Sequence, residues 1–91
     1  MILVEDLYLE VVTPEEILFD GPVGMVEVPG TKGRFTVLRD HAPIISTLEK
    51  GRIRIIGKDG VERIFECRTG VAECHDDHMV VLMDSEIETV N

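Results

Sequence analysis

The densest collection of chemically capable side chains is Cys74-His75-Asp76-Asp77-His78, which with Cys67 nearby contains every ligand type that zinc uses. A small metal-assisted hydrolase built on His75, Asp76, Asp77 and His78 is the chemistry such a set could support. The spacing is against it, because adjacent residues of a strand point to opposite faces and an Asp-Asp pair ahead of an apolar run is ordinary turn chemistry. The segment reads as a polar turn. A second constellation, Asp40, His41 and Ser46, contains the parts of a nucleophile, base and orienter. Asp40 and His41 are consecutive, and Ser46 lies among Ile44, Ile45 and Leu48 with no glycine-framed elbow to expose it, so a loop histidine bonded to backbone or lying at an interface is the better reading. Gly30-Thr31-Lys32-Gly33 matches the GXXG loop that clamps single-stranded nucleic acid, and equally any β-turn. Gly-Lys-Ser/Thr never occurs, so no phosphate cradle is indicated. No catalytic set, metal site or cofactor site is expected.

The elements that must carry these residues are strands. Leu7, Leu9 and Val11 alternate with Tyr8, Glu10 and Val12, followed by Val26 and Val28, Phe35 and Val37, and Ile53 and Ile55 between Arg52 and Arg54. Glycine or proline punctuates each run. Gly57-Lys58-Asp59-Gly60 predicts a hairpin turn, Val61 to Cys67 a strand, Thr69-Gly70 a bulge or bend, and Met79 to Asp84 a further strand after the His75–His78 turn. Thr13-Pro14-Glu15-Glu16 has the cap, proline and Glu of a helix start. The β-prone Ile17-Leu18-Phe19 and the close Gly21-Pro22 favour a turn followed by an edge strand. The fold expected is all-β, a flattened antiparallel β-sandwich or barrel of about ten short strands, in one domain over residues 1–91.

A chain of 91 residues buries only ~60% of its extended surface, so each core side chain matters. Against a net stability of ~5–10 kcal/mol, a buried Phe→Ala change costing ~3–5 kcal/mol at Phe35 or Phe65 would leave the fold marginal. Nine Lys and Arg against eighteen Asp and Glu give a net charge of −9, which repels phosphate backbones and anionic headgroups. Nucleic acid is thereby disfavoured. The basic groups Lys32, Arg34 and Arg39, and Lys50, Arg52 and Arg54, could meet an acidic or polar protein surface. Met1 to Asp6 lacks a basic n-region, and the longest apolar run, Met79 to Met83, is too short for a bilayer, so neither a secretory signal nor membrane insertion is expected. Cys67 and Cys74 fall within apolar patterns and are expected to be buried as small hydrophobes.

Phe19-Asp20-Gly21, Val26-x-Val28-Pro29-Gly30-x-x-Gly33, His41-Ala42-Pro43-Ile44-Ile45-Ser46-x-Leu48-x-x-Gly51 and Gly70-Val71-x-Glu73 resemble, in order, the epsilon subunit of F-type ATP synthases. The resemblance runs from about Leu7 to Asp84, and the His-Ala-Pro segment after the Pro-Gly-x-x-Gly turn is its most specific part. It implies the N-terminal β-sandwich of that family and a non-catalytic place in the central stalk, where the gamma subunit and the polar loops of the c-ring are the partners. It further implies a peripheral position at the cytoplasmic face of the bacterial inner membrane.

On this resemblance Thr13, His41, Ala42, Pro43 and Ser46 fall at the gamma-facing surface, and the turn of Lys32, Gly33 and Arg34 at the c-ring. Arg34 stands where members often carry an acid, Thr36 where a glycine is common, and Arg39-Asp40 where Pro-Gly usually precedes His-Ala-Pro. Many members continue into a two-helix C-terminal domain, for which roughly 35–40 further residues would be needed; with the chain stopping at Asn91, rotation without hairpin-mediated inhibition or ATP binding is the expectation. The competing readings are the metal-assisted hydrolase and a stand-alone protein-binding adaptor.

Overall fold

The computed structural model describes residues 6–85; the first five residues of the Met1–Asp6 reading lie outside them. Seven strands follow one another: β1 (Leu7–Val12), β2 (Ile17–Gly30), β3 (Gly33–Val37), β4 (Ile44–Leu48), β5 (Gly51–Gly57), β6 (Glu62–His75) and β7 (His78–Ser85). Among the described residues there are seven where about ten short ones were expected, because β2 and β6 each run for 14 residues and serve both layers of the flattened barrel. β2 pairs with β1 through Ile17–Val23 and then with β5 and β3. β6 pairs with β5 through Glu62–Cys67 and then with β4 and β7. Each changes partner at a register shift, between Val23 and Met25 in β2 and between Cys67 and Thr69 in β6, so the Thr69-Gly70 bend sits where the sequence puts it. A Cβ at Gly70 would stand 2.5 Å from the Leu82 carbonyl, which makes this close approach of β6 to β7 available only to glycine.

Pairing is antiparallel throughout except between β1 and β7, which run parallel. Parallel neighbours normally need a long crossover. Here they are the first and last strands, and the whole intervening chain is the connection. The turn at Thr13–Glu16 forms as expected, the Thr13 hydroxyl accepting the Glu16 N–H at 3.2 Å, and among the described residues the Ile17–Pro22 part of β2 is paired on one side only, by β1. Gly57 N–H donates to the Val61 carbonyl at 3.0 Å, and Gly60 has φ 80°, so glycine supplies the left-handed residue of the β5–β6 hairpin. Among the described residues no helix is long and apolar enough to cross a membrane.

The core is aliphatic: Leu7, Leu9, Val11, Val26, Val28, Ile53, Ile55, Met79 and Val81 are all fully enclosed. Cys67 and Cys74 join them as free, buried thiols, as their apolar setting predicts. Burial is the main force raising both thiols above their ordinary range, with Asp84 adding to it at Cys67 and Asp77 at Cys74. Phe35 and Phe65 differ from expectation. Both are half-buried at the margin of the core, so each hides less surface than an enclosed ring and its truncation costs correspondingly less than the full core value.

Candidate functional site

Strand alternation gives the barrel two broad outer faces of opposite chemistry. On the layer of β3, β2, β5 and the first half of β6, the outward residues are mostly charged and engage each other. Glu27 reaches Arg34 at 3.5 Å and Arg54 at 3.9 Å, Arg54 also pairs with Glu62, and Arg52 meets Glu66 at 3.2 Å. Arg34 further donates to the Arg52 carbonyl at 2.8 Å. Arg34, Arg52 and Arg54, expected to offer basic charge to a partner, are thus held by acids of their own sheet, while Arg39 faces Asp40 in the loop after β3 at 3.7 Å.

The layer of β1, β7, the second half of β6 and β4 is different. Register aligns Val12, Leu82, Val71 and Thr47 in one row across the four strands, and Glu10, Val80, Glu73 and Ile45 in the next. Leu82 is 55% exposed, Val71 40% and Ile45 72%. Pro14 adds to the Val12, Val71 and Leu82 end of this surface, where a shallow groove runs beside Thr69 and Asp84. Glu10, Glu73 and Asp84 give the stripe an acidic margin, Glu10 bonded to His78 Nε2 at 2.7 Å and Asp84 to Arg68 at 3.1 Å. At the Tyr8 end the phenol donates to Asp20 at 2.5 Å; that bond, with burial and the Asp20 and Glu10 charges, raises the phenol above its usual range. Tyr8 also meets the His78 ring edge-on at 5.5 Å.

Thr13, in the turn just after β1, and Ser46, on β4, lie at the two sides of this apolar layer, but neither side chain stands on its outer face. Thr13 is 6% exposed and caps its turn. Ser46 pairs in register with buried Ala72 and its hydroxyl donates to the Thr47 carbonyl at 2.9 Å. His41, Ala42 and Pro43 form the loop entering β4, with His41 Nδ1 2.7 Å from the Ala42 carbonyl oxygen. Asp40, His41 and Ser46 each bond elsewhere and not to one another. Lys32 and Gly33 sit exposed in the β2–β3 turn, while Arg34 lies along the charged face. That turn is fastened to the β4–β5 turn: Thr31 N–H donates to the Thr47 carbonyl at 3.0 Å and Glu49 N–H to the Pro29 carbonyl at 2.9 Å.

In the acidic turn His75 Nδ1 meets Asp76 at 3.2 Å, His78 turns to Glu10, and Cys74 points into the core. Among the described residues no three metal-ligating side chains converge. What the sequence reading missed is the apolar stripe itself. Leu82, Val71 and Ile45 lie far apart in sequence, and in strands paired on both sides nothing but register reveals that they share a surface.

Residues 6–89 match the family of ATP synthase delta/epsilon chain beta-sandwich domains. The chain belongs to this family. It is 36% identical over 83 residues to the ATP synthase epsilon chain of Caulobacter vibrioides, covering 90% of this chain and 94% of that one. It is 39% identical over 84 residues to the ATP synthase epsilon chain of Rhodospirillum rubrum, covering 92% of this chain and 63% of that longer relative. The fold is shared with a chain of the Euglena gracilis mitochondrial ATP synthase, TM-score 0.82 at 16% identity over 91% of this chain and 53% of the other. A chain of the Tetrahymena thermophila mitochondrial ATP synthase central stalk and c-ring assembly gives TM-score 0.69 at 18% identity, over 85% and 63%. The all-β sandwich expected from the sequence is therefore the family's fold.

Proposed function

We propose that this chain is the non-catalytic rotor subunit of a proton- or sodium-driven ATP synthase, joining the gamma subunit to the c-ring and passing rotation between them at the cytoplasmic face of the membrane. The observation that carries the reading is the exposed stripe of Val12, Leu82, Val71 and Ile45 on a chain of the epsilon family. Contiguous apolar surface with an acidic margin is suited to a protein partner that presents apolar side chains flanked by cations. Gamma is that partner, and Thr13, His41, Ala42, Pro43 and Ser46 bound the contact at its rim. Thr13 and Ser46 act there by shaping backbone, so their neighbours Val12, Pro14, Ile45 and Thr47 make the touching surface.

The c-ring contact falls at the β2–β3 turn with Lys32, Gly33 and Arg34. Because Arg34 is drawn back to Glu27 and the Arg52 carbonyl, Lys32 and the turn backbone are what a polar loop of the ring would meet. A closed aliphatic core between the two contacts supplies the stiffness that torque requires. Titrating the chain with the gamma subunit of the same organism in a calorimeter tests the reading. Saturable binding at one chain per gamma is expected, and no heat with folded partners would overturn it.

A further inference from the structure

Three described residues other than glycine adopt left-handed backbone, Asp40 at φ 65°, Asp76 at φ 50° and Asp77 at φ 60°. Asp76 and Asp77 are the two central residues of the β6–β7 hairpin, closed by the His75 and His78 pair, and a two-residue hairpin loop with both centres left-handed is the type I′ arrangement that aspartate tolerates. Asp40 is the third residue of the Leu38–His41 turn, closed by His41 N–H to the Leu38 carbonyl at 3.2 Å, a type II arrangement whose third position takes positive φ. Its backbone N–H, which such a turn leaves free, donates to the Asp77 Oδ1 across 37 positions of sequence, at 2.6 Å. The carbonyl of Asp77 in turn accepts the Tyr8 N–H at 2.8 Å, so the hairpin that holds Asp40 is itself tied to β1.

We propose that Asp77 is a positioning residue for the His41-Ala42-Pro43 segment, its carboxylate latching the Asp40 backbone and presetting the loop for docking. The proposal rests on the reading of that segment as part of the gamma contact. A residue with a Cβ enters left-handed backbone at a cost, and a hydrogen bond to an ionised carboxylate is strong enough to hold it there. Two carboxylates are brought near each other by this arrangement, and it persists because Asp40 offers its amide to Asp77 while its own carboxylate faces Arg39 at 3.7 Å. The turn's own closing bond, His41 N–H to the Leu38 carbonyl at 3.2 Å, fixes the next residue, and the Asp77 latch ties that turn to the β6–β7 hairpin. His41-Ala42-Pro43 then leads directly into β4 at Ile44. A loop set before docking does not have to be ordered on contact, and this raises affinity without adding any touching atom.

Three variants separate the latch from the turn that carries it. Asp77→Gly deletes the carboxylate while keeping a residue at ease in the type I′ turn. Asp77→Asn keeps an acceptor oxygen. Asp77→Gly combined with Asp40→Gly lets position 40 take its left-handed backbone unaided. Each is measured by amide hydrogen exchange at residues 40–42 and by calorimetric titration with gamma. The expected result is that Asp77→Gly loses protection at the Asp40 amide and weakens gamma binding by about tenfold. Asp77→Asn, which keeps an acceptor but loses the charge, should fall between wild type and Asp77→Gly, and the double variant should recover most of the affinity without recovering the protection. Unchanged exchange at Asp40 in Asp77→Gly overturns the latch, and unchanged affinity there overturns its role in docking. A wild-type chain that fails to bind gamma would instead sink the reading beneath, and the exchange at Asp40 would still judge the latch.

Discussion

The two outer faces of this barrel are made of the same element type and rest on the same core, yet one is chemically closed and the other open. On the β3–β2–β5–β6 face the arginines meet glutamates of neighbouring strands, and Glu27 alone serves two of them. On the β1–β7–β6–β4 face the cross-strand row Val12, Leu82, Val71 leaves aliphatic carbon in water. The lesson is that charge count does not locate an interface. A surface whose charges are matched internally gains little from a partner, because docking would desolvate pairs already made. A surface of exposed aliphatics gains by every atom covered.

The largest effect expected from this contrast is at Leu82. Leu82→Asp should weaken gamma binding ~100-fold or more, the scale of a central interface residue, while moving the melting temperature little, since the side chain is 55% exposed. Equal loss of binding and stability in this variant would make the stripe part of the fold and not an interface.

Next comes the core beneath the two faces. The buried thiols of Cys67 and Cys74 keep their protons to higher pH than they do in the unfolded chain, so above ~8.5 the unfolded state binds fewer protons and stability falls as pH rises. The slope is at most ~1.4 kcal/mol per pH unit for each thiol. Denaturation curves between pH 7 and 9.5 should show the decline, and Cys67→Val with Cys74→Val should flatten it.

The smallest effect belongs to the closed face. Glu27→Ala releases Arg34 and Arg54 from one acid, yet Arg54 keeps Glu62 and Arg34 keeps the Arg52 carbonyl. A loss below about 1 kcal/mol is expected, shrinking further in high salt, with affinity for gamma unchanged. A large drop in gamma binding would move the interface to this face.

Much of the architecture is legible in the residues, because period-two alternation and turn chemistry are local. The Gly57–Gly60 hairpin, the Thr13 turn and the Thr69-Gly70 bend all stand where the sequence puts them. What is not local escaped. The length of β2 and β6 depends on exchanging partners at a bulge, which no window of residues displays. Arg34 and Arg52 looked available because their acids, Glu27 and Glu66, lie on other strands. Phe35 and Phe65 looked central because they are large, whereas the enclosed volume is filled by aliphatics arriving from strands far apart in the chain. That Ser46 turns its side chain from the outer face follows from register with Ala72, and that Thr13 turns inward follows from its cap on the Glu16 N–H.

The most direct test is amide hydrogen exchange across the whole chain, alone and saturated with gamma. The account predicts added protection on β1, β7, the second half of β6 and β4, together with the loop at residues 40–42, and none on β3 and β5. Protection centred on β3 and β5, with the Leu82 and Val71 strands unchanged, would contradict it.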